Sequence, residues 1–384
     1  MRIAVPNWLR QLNSIGGIVA GAALLRLLLW WGKFGRPDYP HLFRDDEVYW
    51  QAAQELWATG QIGSHKVMPG LPLLEMILGF PGIVYFNMLC DLGTVGLTYY
   101  LAQRLLKHEG RARWAASLVA LSPGLLYFSN HAYTESLFTL LLVGGTTLLY
   151  REKYEWGSLI LIFSIWVRPT LDPFIPLWIV AFAWAVHQHA WTKIMGHLLK
   201  YLLLYLLLMA PWWWHNYQKY DRFVRLNLGG GEVMYHGQVN LPRLADLDDP
   251  QVYDLAAFDH LDDPERRKQA MQAEVWAYWT ASPWHLPEAF IKNTIKFWLG
   301  IPEVFYGPFA YLVGFGMHAG IFLMAIGIWR GKIWRQRLWW PILLLLLYFT
   351  VLHALLHGMP RYRLPLVPLM WLLALAGWVS RPSH

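Results

Sequence analysis

Apolar residues run along this chain in long stretches separated by short charged connections. Ten stretches stand out, near residues 15–33, 82–103, 114–130, 136–150, 156–168, 170–188, 194–213, 307–329, 338–356 and 364–380. A helix needs about 20 apolar residues to cross a bilayer; several of these reach that length, whereas 136–150 and 156–168 fall short. The pattern predicts an all-α polytopic membrane protein with about ten spans. The segment PGLPLLEMILGF (Pro69–Phe80) is too short to cross and reads as a re-entrant or interfacial piece on the outer side. Arg2 and Arg10 precede the first stretch, which is long for a signal core and lacks a small-residue cleavage site. It is expected to remain as the first span, with a cytoplasmic N-terminus.

Charge supports this count. Alternating ten spans from a cytoplasmic start puts Arg104, Lys107, Arg111 and Arg113 inside, together with Arg151, Lys153, Lys193, the cluster Arg330, Lys332, Arg335 and Arg337, and Arg381. The positive-inside rule requires dense basic loops there. Counting Pro69–Phe80 as a span would reverse every later loop. Composition agrees: 56% of residues are hydrophobic and 15% charged, against roughly 25% charged in soluble domains. The 24 Trp and 20 Tyr suit a lipid–water boundary. A net charge of +7 would suggest nucleic acid in a soluble protein, but here the basic residues fall in loops that topology explains. The single cysteine, Cys90, excludes an intrachain disulfide. No repeat of 20–50 residues and no Gly-, Ser- or Pro-rich linker appears, so 1–384 reads as one membrane domain. Its main outward connections are 34–81, the tight turn SNHAYTES (Ser129–Ser136) and the large loop 214–306.

The first connection carries FRDDEVYWQAAQELWATGQIGS (Phe43–Ser64), in which Asp45, Asp46 and Glu47 stand together. Tyr49, Ala52, Ala53, Leu56 and Trp57 recur at helical spacing, which predicts an amphipathic helix along the outer surface. Acids in its first turn suit the helix dipole, and capping is the plain reading. Three adjacent carboxylates also repel, which raises the proton affinity of at least one. Glu135 sits in the second connection. Arg168 in WVRPTLDP, His215 in APWWWHNY, and Arg361 and Arg363 flanking Tyr362 in MPRYRLPLVP lie at span ends on the same side. Each could simply snorkel. Converging opposite the acids, they would suit a lipid-linked phosphate, whose geometry matches arginine forks. The acid-rich run Leu244–Glu265 lacks the sixth-position glycine of an EF-hand loop and reads as a solvated face. Within it, Asp263 and Pro264 predict a helix start, with Val275, Trp276 and Trp279 on the membrane surface or roofing a cavity. Gly229–Gly231 follows no strand and has no P-loop lysine, so it is not a nucleotide loop.

DDEVYWQAAQELWATGQIG resembles the Asp-Glu-x-Tyr signature in the first outer loop of GT-C superfamily glycosyltransferases, in the branch of protein O-mannosyltransferases and the lipid A aminoarabinose transferase. HAYTESLFTLLL is similar to that group's second outer loop, APWWWHNYQKYDRFVRLNLGGG to its Pro-Trp-x-x-Arg-Asn-Tyr stretch, and MPRYRLPLVPLMWLLALAG to its C-terminal Arg-Tyr-Arg span. The resemblance implies a GT-C-like bundle in a bacterial inner or plasma membrane, with its active site facing outside. It implies inverting transfer of a sugar from a polyprenyl-phosphate donor to a hydroxyl of a glycan, lipid or protein acceptor. Asp46 would be the base, with Asp45, Glu47, Tyr49 and Glu135 orienting the acceptor or holding a divalent cation (Mg or Mn). Arg168, His215, Arg361 and Arg363 would bind the donor phosphate. His215 departs from the family pattern, which has arginine there, and no soluble domain follows the last span. No His/Cys cluster has zinc spacing. Two rivals remain open: a lipid-linked-oligosaccharide ligase or polymerase, which relies on an Arg–His outer loop rather than an acid at the first span exit, and a transporter or flippase.

Overall fold

The computed structural model describes residues 14–36, 45–239, 255–302 and 307–378, and no strand occurs among them. Helix α1 (Ile15–Leu29) runs on into a π-turn at Trp30–Phe34. Next come α2 (Asp45–Thr59), α3 (Gly70–Leu78), α4 (Gly82–Leu106), α5 (Glu109–Ala120) and α6 (Pro123–Phe128). The middle of the chain forms α7 (Glu135–Tyr150), α8 (Tyr154–Val167), α9 (Ile175–Ala181) and the long α10 (Trp191–Tyr220). Three shorter helices follow, α11 (Gly230–Gln238), α12 (Pro264–Ala281) and α13 (His285–Leu299). The bundle closes with α14 (Gly307–Gly331), α15 (Trp340–Leu355) and α16 (Val367–Ala376).

Among the described residues, four helical segments are long and apolar enough to cross a membrane: Ile15–Phe34, Trp191–Tyr220, Val313–Gly331 and Arg337–Leu355. Three shorter apolar helices, Glu135–Tyr150, Tyr154–Val167 and Ile175–Val186, join them. Chain chemistry explains why the other expected spans are not simple rods. The stretch at 114–130 breaks at Leu121–Ser122, where Pro123 opens α6, because proline lacks an N–H and clashes with a preceding turn. The stretch at 170–188 opens with a 3-10 turn at Pro169–Leu171 and ends in a π-turn at Phe182–Val186. The stretch at 364–380 starts inside a 3-10 segment, Pro360–Leu366, that holds Pro365. Helix α4 has 25 residues, but it buries Asn87, Asp91, Thr94 and Thr98, which dilutes its apolar character.

Side-chain bonds sort the connections into two ends. Helix α7 has 16 residues, so its termini lie about 24 Å apart at 1.5 Å per residue. At its Tyr150 end, Arg104 donates to the Tyr150 carbonyl at 2.8 Å and the Tyr150 hydroxyl to the Leu338 carbonyl at 2.8 Å. His187 bonds the Leu149 carbonyl at 2.9 Å. The basic connections after α4, α7 and α9 and before α15 thus gather at one end. Glu135, at the opposite end of α7, meets Arg168 at the exit of α8.

The described parts of the connections 34–81 and 214–306 pack onto that second end. Helix α2 buries Asp46, Ala52 and Ala53, whereas Trp57 on the expected apolar stripe is 78% exposed. Helix α3 forms at Pro69–Phe80, as a short piece. Asp263 accepts from the Glu265 N–H at 3.0 Å and caps α12, with Pro264 in the first turn. Val275 is buried, Trp276 is exposed, and the Trp279 indole donates to Gln238 at 3.1 Å. Asn293 on α13 donates to the Gly237 and Ala354 carbonyls and accepts from the Gly358 N–H, fixing α11 and α13 against the end of α15. This fit leaves no room for side chains. A Cβ on Gly237 would stand 1.7 Å from the Leu356 carbonyl oxygen, and one on Gly231 2.8 Å from the Lys268 Cα. Gly231 and Gly237 therefore serve close helix packing, whereas a Cβ on Gly230 would meet open space. Residues 244–254 of the acid-rich run lie outside the described residues.

Candidate functional site

A cavity of about 420 Å³ opens at the Glu135 end of the bundle. Its walls come from the first turn of α2, the connection before α3, the start of α7, the exit of α8, the loop into α11, the last turns of α15 and the 3-10 segment Pro360–Leu366. Residues separated by more than 300 positions meet there. Arg361 donates to Asp45 at 2.5 Å, and Arg168 donates to Glu135 at 2.8 Å. Tyr362 joins the two pairs, with the Arg168 guanidinium carbon 5.3 Å from its ring centroid and that of Arg361 5.5 Å away. Local sequence dictates this placement. Extended backbone at Arg168 and Pro169 at the start of the next turn stop α8 at Val167, turning the arginine sideways out of the helix. Prolines at 360 and 365 hold Arg361 and Tyr362 on a tight 3-10 turn.

Charge in the cluster is balanced. Burial opposes a positive Arg361, yet Asp45 and Glu135 outweigh it, and its guanidinium is held more firmly protonated than usual. The Tyr49 hydroxyl lines the cavity and is pushed well above its ordinary range, chiefly by burial. It acts as a hydrogen-bond donor and acceptor, not as an anion.

The nine residues singled out in the sequence divide clearly. Asp45, Tyr49, Arg168 and Arg361 line the cavity, and Glu135, fully buried, backs it by holding Arg168. The other four neither line nor back it in this way. Glu47 points to solvent, accepting from Gln51 at 3.1 Å one turn along. His215 stacks on Trp212 with ring centroids 5.1 Å apart. Arg363 is buried and donates to the carbonyls of Phe297, Trp298 and Gly300 at 2.5–2.9 Å, closing the end of α13. A phosphate ligand would have to displace three carbonyls to reach it. Asp46 is fully buried and does not line the cavity; neither carboxylate oxygen makes a hydrogen bond of ordinary geometry, although the Tyr133 hydroxyl lies close by. Helical geometry explains the split: adjacent residues point about 100° apart, so Asp45 and Asp46 cannot share a face.

Asp46 has a second buried carboxyl in its neighbourhood, Glu75 on α3, also without a hydrogen-bond partner. Burial pushes Asp46 up to about 7, against the pull of the Tyr133 hydroxyl. Burial and then the charge of Asp46 push Glu75 up to about 9. Both groups keep a proton in the folded chain that the unfolded chain releases, so stability falls as pH rises. The loss from Asp46 accrues between 3.8 and about 7, and that from Glu75 between 4.5 and about 9. Thermal midpoints of purified protein should therefore drop as pH rises across these windows. Asp46→Asn should flatten the part below about 7, and Glu75→Gln the part extending to about 9. Parallel curves for both variants and the parent would refute this.

Several lining residues had no signal in the pattern of spans. Lys66 and Glu232 line the cavity and pair at 2.7 Å, and Asn227 donates to the Lys66 carbonyl at 2.7 Å. Burial alone would raise Glu232, but His236 and Lys66 bring it down to about 2. His353 on α15 lines the cavity as well.

No protein-family model, no curated protein and no solved structure matches the chain. The site therefore has to be read from its own chemistry. It offers the Asp45 carboxylate beside two guanidinium groups, a Lys66–Glu232 ion pair, and tyrosine and apolar walls. Its acids do not converge on a common point: Asp45 and Glu135 each hold a different arginine, and Glu47 faces away. Among the described residues no group of three or more His, Cys, Asp or Glu side chains could hold a metal ion. The arrangement does not fit a divalent cation, and no step is assigned to one.

Proposed function

We propose that this chain is an integral membrane glycosyltransferase of GT-C type, with about ten membrane passages. It would move a sugar, with inversion, from a polyprenyl-phosphate donor to an acceptor hydroxyl on the extracytoplasmic side. The acceptor class is a glycan, a lipid or a protein. The observation that carries the reading is the meeting of Asp45, Arg361, Arg168 and Glu135 around Tyr362 in one cavity, at the end of the bundle away from the basic connections.

In this reading the donor phosphate takes the guanidinium groups of Arg168 and Arg361, which suit its charge and shape. Arg361 is drawn from Asp45 as it does so, leaving that carboxylate free to accept a proton. The acceptor oxygen attacks the anomeric carbon while Asp45 removes its hydrogen. The bond from the anomeric carbon to the phosphate oxygen breaks, and its electron pair stays on the polyprenyl phosphate. Fixed positive charge stabilises that developing dianion, so no acid is needed to protonate the leaving group. The resemblance implied Asp46 as the base; we take Asp45 instead, because Asp45 and not Asp46 lines the cavity.

The test is turnover of radiolabelled polyprenyl-phosphate sugars by the purified chain in lipid nanodiscs. Sugar transfer or release of free polyprenyl phosphate is the expected result. Transbilayer movement of an intact donor in vesicles, without cleavage, would instead establish a transporter.

A further inference from the structure

The cavity holds a buried polar side chain that the proposed chemistry leaves unused. His353 lies on the last turn of α15, is 6% exposed, and lines the cavity. Neither ring nitrogen makes a hydrogen bond of ordinary geometry, although the His357 backbone lies close to the ring. Its ring is gripped by aromatic neighbours: Phe297 stacks on it at 5.2 Å and 13°, Tyr362 lies at 4.8 Å and Phe349 at 5.7 Å. The imidazole therefore has a fixed plane and two unspent hydrogen-bonding positions. Leaving both unmade in a buried site costs free energy, which an occupant of the cavity would repay.

We propose that His353 reads a hydroxyl of the transferred sugar, which makes it a specificity-determining contact of the site. This rests on the glycosyl-transfer reading above. The chemistry selects a hydroxyl over the donor phosphate. Arg168 packs against the same Tyr362 ring and already supplies positive charge at that spot. A neutral imidazole offers one donor and one acceptor, the complement of an O–H group that does both. Tyr362, Tyr348 and Phe349 line the cavity beside it and give the apolar face of a sugar ring a surface to rest on. A ring clamped on its flanks cannot swing to follow a misplaced hydroxyl, so one position on the sugar is read.

The experiment uses the full chain in nanodiscs with undecaprenyl phosphate carrying mannose, glucose, galactose or arabinose, then mono-deoxy forms of the best donor. Release of undecaprenyl phosphate is measured as kcat/KM. His353→Phe preserves the aromatic packing and is expected to lower kcat/KM for the parent donor by about 100-fold or more. One deoxy donor should be equally poor with the parent enzyme and lose nothing further in His353→Phe, and His353→Gln should recover part of the loss. A His353→Phe variant as active as the parent enzyme overturns the proposal, and so does an equal loss on every deoxy donor. If His353→Phe does not fold, His353→Gln must show the same coupling to a single deoxy position, and its absence overturns the proposal. Failure of the parent enzyme to cleave any donor defeats the glycosyl-transfer reading itself, and this inference with it.

Discussion

Asp45→Asn is expected to slow sugar transfer by about 10²–10⁴-fold, the range lost when a positioned general base is removed, while the chain remains folded. The substitution keeps size and one oxygen, but an amide cannot take the acceptor proton. It also breaks no buried charge pair, because Asp45 is 41% exposed and Arg361 can turn to Glu135 or to the donor phosphate. Asp46→Asn is expected to stay within about tenfold of the parent, since its buried carboxyl does not line the cavity and a neutral amide mimics its protonated form. Single-turnover release of polyprenyl phosphate separates the two variants cleanly, because it reports the chemical step without product release. The opposite ranking, with Asp46→Asn inactive and Asp45→Asn active, would return the base to Asp46 and require α2 to rotate on donor binding.

That pair shows how far the sequence could be read. Clustering of acids at 45–47 opposite arginines at 168 and 361 was visible in the pattern, because charges at the ends of apolar stretches demand partners. What the pattern could not resolve was direction. Neighbouring residues on a helix point about 100° apart, and nothing in the string DDE says which carboxyl faces the cavity. Arg361 and Arg363 look equivalent around Tyr362, yet the first lines the cavity and the second closes the end of α13. Expected spans were blurred for a related reason: prolines at 123, 169 and 365 cut apolar stretches into shorter helices. His353 escaped notice as one histidine in an apolar run. Lys66 and Glu232 are 166 residues apart, and only the folding of α11 over the connection before α3 brings them together.

Arg26 and Asp91 were missed although they left a signal, a cation in the middle of one apolar stretch and a lone anion in another. Arg26 on α1 donates from Nε and Nη2 to the same oxygen, Oδ2, of Asp91 on α4, and both side chains are fully buried. The guanidinium also donates to the Ala22 carbonyl at 2.9 Å and to the Ala120 carbonyl at 3.3 Å, so one side chain ties α1 to α4 and α5. Arg26→Met should destabilise the fold by about 3–5 kcal/mol, because it strands Asp91 without a counter-charge in an apolar interior. The double variant Arg26→Met/Asp91→Leu should recover most of the loss, since a buried pair contributes little more than well-packed apolar groups of similar volume once its desolvation is counted. Thermal unfolding of all three in one detergent, with polyprenyl phosphate release measured alongside, tests this directly. A stable Arg26→Met, or a double variant no better than the single, would mean that the pair does not hold these helices together. It also bears on mechanism. Neither residue lines the cavity, so a double variant that folds should still cleave donor. One that folds, keeps cleavage and loses vesicle flux of donor would give the pair a transport role that packing alone does not require.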